Sequence, residues 1–155
     1  MQNHYNLIYR EEEREMLPLC EFEGVAVIPW SPLARGLLSG SRKSLDDKQA
    51  SERAGSDGIS DFLYNQASDW DVVEAVCEVA KQRDTAPARV ALAWLLTRPG
   101  VTAPIVGATQ LAHLEDAIAS VELELSAEEI QALEAPYQSH PVKGLGPAAS
   151  TSRSR

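Results

Sequence analysis

Five stretches of the chain repeat apolar residues at helical spacing, and two short runs are apolar without interruption. In residues 10–23, Met16, Leu17, Cys20 and Phe22 fall on one helical face between charged positions, and Gly24 ends that helix. Val25-Ala26-Val27-Ile28, bounded by Gly24 and Pro29, predicts a strand buried on both faces. Ser68 with Asp71 reads as a variant capping box for a helix carrying Trp70, Val73, Val76, Cys77 and Ala80. Thr85 and Pro87 open another, with Val90, Ala91, Trp94 and Leu95 facing a core and Pro99-Gly100 stopping it. Ala103-Pro104-Ile105-Val106 predicts a second strand. Thr109 or its neighbour then caps a helix with Leu111, Leu114 and Ile118, and Ser126 with Glu129 is a full capping box for a last helix with Ile130 and Leu133.

Between these elements, residues 37–66 show little periodicity and predict a long surface loop. The apolar pattern fades after Tyr137, so residues 1–137 form the expected domain and 138–155 a disordered or extended tail. Short buried strands separated by amphipathic helices indicate an α/β class with parallel pairing. Two such strands alone cannot satisfy their own backbone groups, and Gln2-Asn3-His4-Tyr5-Asn6 reads like the end of a third, so the chain is expected to be incomplete.

Composition narrows the function. With 44% hydrophobic residues, the 155-residue chain holds one sizeable core, but it is short of the roughly 250 residues of a whole eight-unit barrel. A net charge of −9 argues against nucleic acid or an anionic membrane as partner. Cys20 and Cys77 match neither a metal-binding nor a redox spacing, no metal-ligand set stands out, and both are expected to be reduced core thiols. No run is apolar enough for a membrane span or a secretory leader, which makes a cytoplasmic address the expectation.

In parallel α/β folds, ligands bind where strands end, so the residues just after each apolar run are the informative ones. Trp30 follows the first run, and Ser31 to Gly36 offer a hydroxyl, backbone amides and a guanidinium suited to phosphate oxygens. Gly107-Ala108-Thr109 follow the second and lead into a helix N-terminus, where free amides and the helix dipole favour an anion. Each signal alone also suits a core tryptophan or an ordinary turn.

Their order makes them specific. Gln2-Asn3-His4-Tyr5-Asn6-Leu7, then Arg10 with Glu11 to Glu15, Val27-Ile28-Pro29-Trp30-Ser31-Pro32-Leu33-Ala34-Arg35-Gly36, Ala91-Leu92-Ala93-Trp94-Leu95-Leu96, Pro104-Ile105-Val106-Gly107 and Leu125-Ser126-Ala127-Glu128-Glu129 resemble the aldo-keto reductase family over residues 1–144. Within it they look closest to the bacterial branch that includes the YajO reductase. The resemblance implies the C-terminal portion of a (β/α)8 TIM barrel, an incomplete barrel, and a parent activity of NADP(H)-dependent aldehyde and ketone reduction with a tyrosine as proton donor. It implies that Gln2 hydrogen-bonds the nicotinamide carboxamide, that Trp30 stacks on the ring, and that Ser31, Leu33 and Arg35 line the pyrophosphate. Gly107, Ala108 and Thr109 correspond to the segment receiving the adenosine phosphate. Gln110, His113 and Ala117 stand where related reductases place Arg or Lys, Gln or Arg, and Asn; His113 is kept as a cofactor contact, and the missing cations weaken the case for a 2′-phosphate.

The family's catalytic Asp, Tyr, Lys and His fall in its N-terminal half, so no catalytic residue carries over, and His4, Tyr5, Tyr64 and Tyr137 read as structural or solvent-facing. The leading expectation is a truncated reductase, inactive alone, whose full-length relative takes a small carbonyl substrate. The alternative is a non-catalytic half-barrel that binds or assembles, associating with itself through exposed barrel strands. An unrelated α/β domain sharing only short motifs is the third reading.

Overall fold

The structure, a computed structural model, describes residues 1–41, 62–64 and 66–142. Among them are five α-helices: α1 (Met16–Phe22), α2 (Ala67–Gln82), α3 (Pro87–Leu96), α4 (Leu111–Ala119) and α5 (Ala127–Glu134), with 3-10 turns at Glu11–Glu13, Ala34–Ser39 and Ser120–Glu122. Three extended segments lie side by side and parallel, with residues 25–30 in the middle. On one flank Ile28 N–H donates to the Met1 carbonyl at 2.8 Å and Trp30 N–H to the Asn3 carbonyl at 2.8 Å. On the other, Val27 N–H donates to Gly100 (3.1 Å), while Thr102 N–H reaches Val27 (2.8 Å) and Ile105 N–H reaches Pro29 (2.8 Å). The third segment, 1–4, is the strand whose end the opening residues suggested.

Local chemistry sets the helix ends. Gly24 sits at φ +64°, and Val25 N–H returns to the Cys20 carbonyl (2.7 Å) while Gly24 N–H returns to Glu21 (3.2 Å), a Schellman closure of α1. Pro87 takes the first position of α3, where its missing N–H leaves nothing unsatisfied. Ser126 and Glu129 form the expected box on α5, with Glu129 N–H on Ser126 Oγ at 3.2 Å and Ser126 N–H on Glu129 Oε2 at 2.7 Å. The box on α2 is displaced from the predicted place: Asp69, not Asp71, reaches back to an N–H, that of Gln66, at 3.0 Å, and Ser68 is buried inside the helix.

Helices α2 and α3 pack on each other, α5 lies on α2, and α4 with the Ser120–Glu122 turn lies on α3. The core joins Val72, Val73, Val76 and Val79 of α2 to Val90, Trp94 and Leu95 of α3, to Val27, and to the loop residues Tyr5, Leu7, Ile8 and Tyr9. Trp94 is fully buried; its indole N–H donates to Glu134 at 2.9 Å, and Arg10 and Arg98 lie over its ring at 5.3 and 5.0 Å.

Three expectations about burial change. The middle segment is buried on one face only: Val27 and Pro29 point into the core, whereas Ile28 between them is 37% exposed, since period-two alternation turns it to the other face, and Val25, at the start of the segment, is 43% exposed. Phe22 is 85% exposed, because α1 buries only Leu17 and Cys20. Leu111, Leu114 and Ile118 do share a face of α4, yet they are 72%, 44% and 64% exposed. Of the predicted long loop, Ala34–Ser39 is a 3-10 turn that buries Leu37 and Leu38, and residues 42–61 and 65 lie outside the described residues. The segment after α5 stays packed at His140, which is buried; the tail beyond 142 lies outside the described residues. Cys20 is buried and Cys77 half-buried, and both are free. Among the described residues, no helix is long and apolar enough to cross a membrane.

Candidate functional site

Because the three segments are parallel, their C-terminal ends meet at one edge. His4 pairs with Trp30 across the first interface, and Ile105 N–H on the Pro29 carbonyl sets Ile105 beside the same end across the second, shortly before Gly107. Trp30 and Gly107, far apart in sequence, thus follow neighbouring strand ends along one rim, adjacent strands lying about 4.8 Å apart. Gln2 stands lower on its strand, at the level of Ile28.

Trp30 is half-buried, and its indole stacks on the His4 imidazole, with centroids 4.2 Å apart and planes 16° apart. The turn after it is bent into unusual backbone: Ser31, Ala34 and Arg35 have φ of 52°, 47° and 55°, followed by Gly36 at 98°. A left-handed non-glycine residue costs about 1–3 kcal/mol, and three within five residues is a concentration typical of sites where backbone geometry serves a ligand. Asn6 holds this turn, its Nδ2 donating to the Ser31 carbonyl at 2.9 Å. Leu33 is half-buried and Arg35 exposed.

At the third strand end, Gly107, Ala108, Thr109 and His113 are all exposed. A Cβ built on Gly107 would meet nothing within 4 Å, so the backbone there is open to approach. The expected Thr109 cap is absent; the N-cap of α4 is Gln110, which makes no side-chain bond to the helix amides. An uncapped helix start attracts an anion through its amide N–H groups and dipole.

The rim thus presents an aromatic face backed by His4, a guanidinium on a left-handed turn and an uncapped helix start, groups able to stack on a planar ring and to bind phosphate oxygens. A hollow of about 620 Å³ lies elsewhere, along α2, lined by Asp71, Glu74, Glu78 and Lys81 among others, with acidic side chains in the majority of the charged ones.

None of the chain's four tyrosines presents a hydroxyl at the rim. Tyr5, Tyr9 and Tyr64 are buried, and Tyr5 and Tyr137 donate to Glu13 (2.6 Å) and Glu11 (2.5 Å). Burial first, and then those carboxylates, push the Tyr5 and Tyr137 hydroxyls above their ordinary range; burial chiefly raises Tyr64, with Asn6 and the nearby Arg35 charge opposing it.

A family model described as the aldo/keto reductase family matches residues 1–138. The chain belongs to the aldo/keto reductase family. It is 44% identical over 144 residues to a Schizosaccharomyces pombe protein named as an aryl-alcohol dehydrogenase, covering 93% of this chain and 40% of that protein. It is 43% identical over 142 residues to the versiconal hemiacetal acetate reductase of Aspergillus parasiticus, covering 88% and 39%. Among solved structures it is similar to the thermostable aldo-keto reductase Tm1743 bound to the inhibitor epalrestat, with a TM-score of 0.60 and 28% identity, covering 87% of this chain and 38% of that one. The chain thus spans about two fifths of the length of these relatives, and its fold is part of a barrel of the aldo-keto reductase type.

The residues missed in the sequence are His4, Asn6 and Tyr64. Asn6 stood in the sequence only as part of the Gln2-Asn3-His4-Tyr5-Asn6 motif, and Tyr64 gave no signal, because its neighbours have no periodicity.

Proposed function

We propose that this chain is the nicotinamide-holding portion of an NADP(H)-dependent aldo-keto reductase and that alone it reduces no carbonyl. The carrying observation is the rim: Trp30 and the left-handed Ser31–Gly36 turn follow one strand, and the uncapped start of α4 follows its parallel neighbour. On this reading Gln2 hydrogen-bonds the carboxamide, Trp30 stacks on the ring, Ser31, Leu33 and Arg35 line the pyrophosphate, and Gly107, Ala108, Thr109 and His113 face the adenosine phosphate. When bound, the reduced cofactor supplies a hydride; the chain's own residues hold and orient it. The small carbonyl substrate, the proton donor and the reaction belong to the full-length arrangement. Each tyrosine here is buried or committed to a carboxylate, so a developing alkoxide would find no tyrosine acid on this rim. The affinity with the YajO-like branch rests on motif wording alone, the named relatives of known organism being fungal.

Calorimetric titration of the purified chain with NADPH, beside an aldehyde-reduction assay, tests this reading. Saturable binding that Trp30→Ala weakens, without turnover, is expected. Turnover by the chain alone, or no saturable binding, contradicts it.

A second reading, an assembly module, draws on the apolar surface left open by the strands and α4: Ile28, Ile105, Val106, Leu111, Ile118 and Val121 are all exposed. Such a surface favours association. Light scattering on a size-exclusion column separates the readings: a concentration-dependent oligomer favours assembly, and a stable monomer opposes it.

A further inference from the structure

Behind the Trp30 indole lies a network that neither packing nor the cofactor contacts explain. The His4 ring is sandwiched, with Trp30 on one face (4.2 Å, 16°) and Tyr9 on the other (4.3 Å, 15°). Its Nε2 meets the Tyr64 hydroxyl at 2.6 Å, and that hydroxyl also receives Asn6 Nδ2 at 3.2 Å. The orientation of Asn6 is fixed by its other end, where Oδ1 accepts from Ile8 N–H and Tyr9 N–H, both at 2.9 Å. Nδ2 must therefore be the donor, both to Tyr64 and to the Ser31 carbonyl. Asn6 thus donates to the Tyr64 oxygen, and that hydroxyl shares one hydrogen bond of 2.6 Å with His4 Nε2. The shared bond and the two stacking rings together hold the imidazole's rotation.

The consequence is geometric. One face of the indole is taken by a ring that cannot turn, so a ligand ring can stack only on the other face, at a fixed tilt. The same Asn6 amide holds the carbonyl of the left-handed Ser31, so the platform and the phosphate turn are set by one group. We propose that Tyr64, His4 and Asn6 are positioning residues that fix the Trp30 plane and the Ser31 turn for a nicotinamide ring. The proposal rests on the cofactor reading above, and it adds that the buried Tyr64 hydroxyl, which reaches the back of the Trp30 platform through His4, tunes cofactor affinity without touching the cofactor.

The test uses the whole chain labelled with ¹⁵N, whose three indole N–H resonances report three places at once: Trp30 the platform, Trp94 the core, Trp70 helix α2. In Tyr64→Phe the Trp30 resonance is expected to shift or broaden while Trp94 stays put. NADPH affinity should weaken by about threefold to tenfold, the scale of one lost hydrogen bond. His4→Phe, which keeps a stacking ring but has no ring nitrogen to bond Tyr64, is the second arm and the one that decides if Tyr64→Phe disturbs Trp94; it should move Trp30 and weaken NADPH in the same way. An unmoved Trp30 resonance and unchanged affinity in His4→Phe, with wild-type binding intact, overturn the positioning claim alone. Wild-type chain that binds no NADPH overturns the cofactor reading, and with it the role assigned to the network, even where Trp30 moves.

Discussion

The imidazole of His140 and the carboxylate of Asp69 meet at 2.7 Å in the interior, with both side chains all but fully buried. Asp69 also accepts the Gln66 N–H at the start of α2, and the His140 backbone N–H donates to the buried Glu11. One pair thus fastens the segment after α5 to the start of α2 and to the turn that precedes α1.

Removing one partner leaves the other buried and unsatisfied, which costs more than the pair itself gains. His140→Ala is therefore expected to lower unfolding stability by about 2–4 kcal/mol, and Asp69→Asn, which keeps an acceptor, by less. Urea denaturation of both variants checks this; a loss for His140→Ala within about 0.5 kcal/mol, as for an ordinary surface change, would contradict it.

Arg83 and Glu129 join α2 to α5 at the surface, at 2.5 and 2.6 Å, and Glu129 also takes the Ser126 N–H. The Arg83 guanidinium, and then the Ser126 amide, hold the Glu129 carboxyl down to about 2, against an ordinary 4.5. A depressed carboxyl stabilises the fold above its unfolded value and ceases to do so as pH falls through the folded one. The difference in urea midpoint between the chain and Arg83→Met should therefore be present at pH 7, shrink from about 4.5 downward and vanish near 2. It should also shrink with salt, since the pair is exposed. A difference that persists at pH 2 would contradict the assignment.

The helices were legible because their signals are local. Ser126 with Glu129, Pro87 and Gly24 each act within a turn of their own position, and the structure places all three as read. Burial was legible only in part, because it depends on what stands opposite. Val27 and Ile28 look alike in sequence, and only the layout of helices on one side of the strands separates the buried from the exposed. For the site, the strand-end rule reached Trp30 and Gly107, since a strand's end is a local property. It could not reach the Tyr64–His4–Asn6 network, because only the fold brings Tyr64 to His4 and Asn6.

Choice between phosphorylated and unphosphorylated cofactor should be weak. At the start of α4 stand Gln110 and His113, and Arg89, which packs α3 on α4, is held by Asp116 at 2.7 Å. NADPH and NADH are expected to bind within about tenfold of each other, and Gln110→Arg to shift the ratio several-fold toward NADPH by adding one charge near the 2′-phosphate. Paired titrations at low and moderate salt check this; a native preference for NADPH of a hundredfold or more would contradict it.

The rim itself is tested most directly by mapping NADPH onto the backbone amides of the ¹⁵N-labelled chain. Saturable shifts confined to Gln2, Trp30, Ser31, Leu33, Arg35, Gly107–Thr109 and His113 are predicted. Shifts gathered instead on the α2 hollow around Glu74 and Cys77, or none at saturating cofactor, would contradict the account.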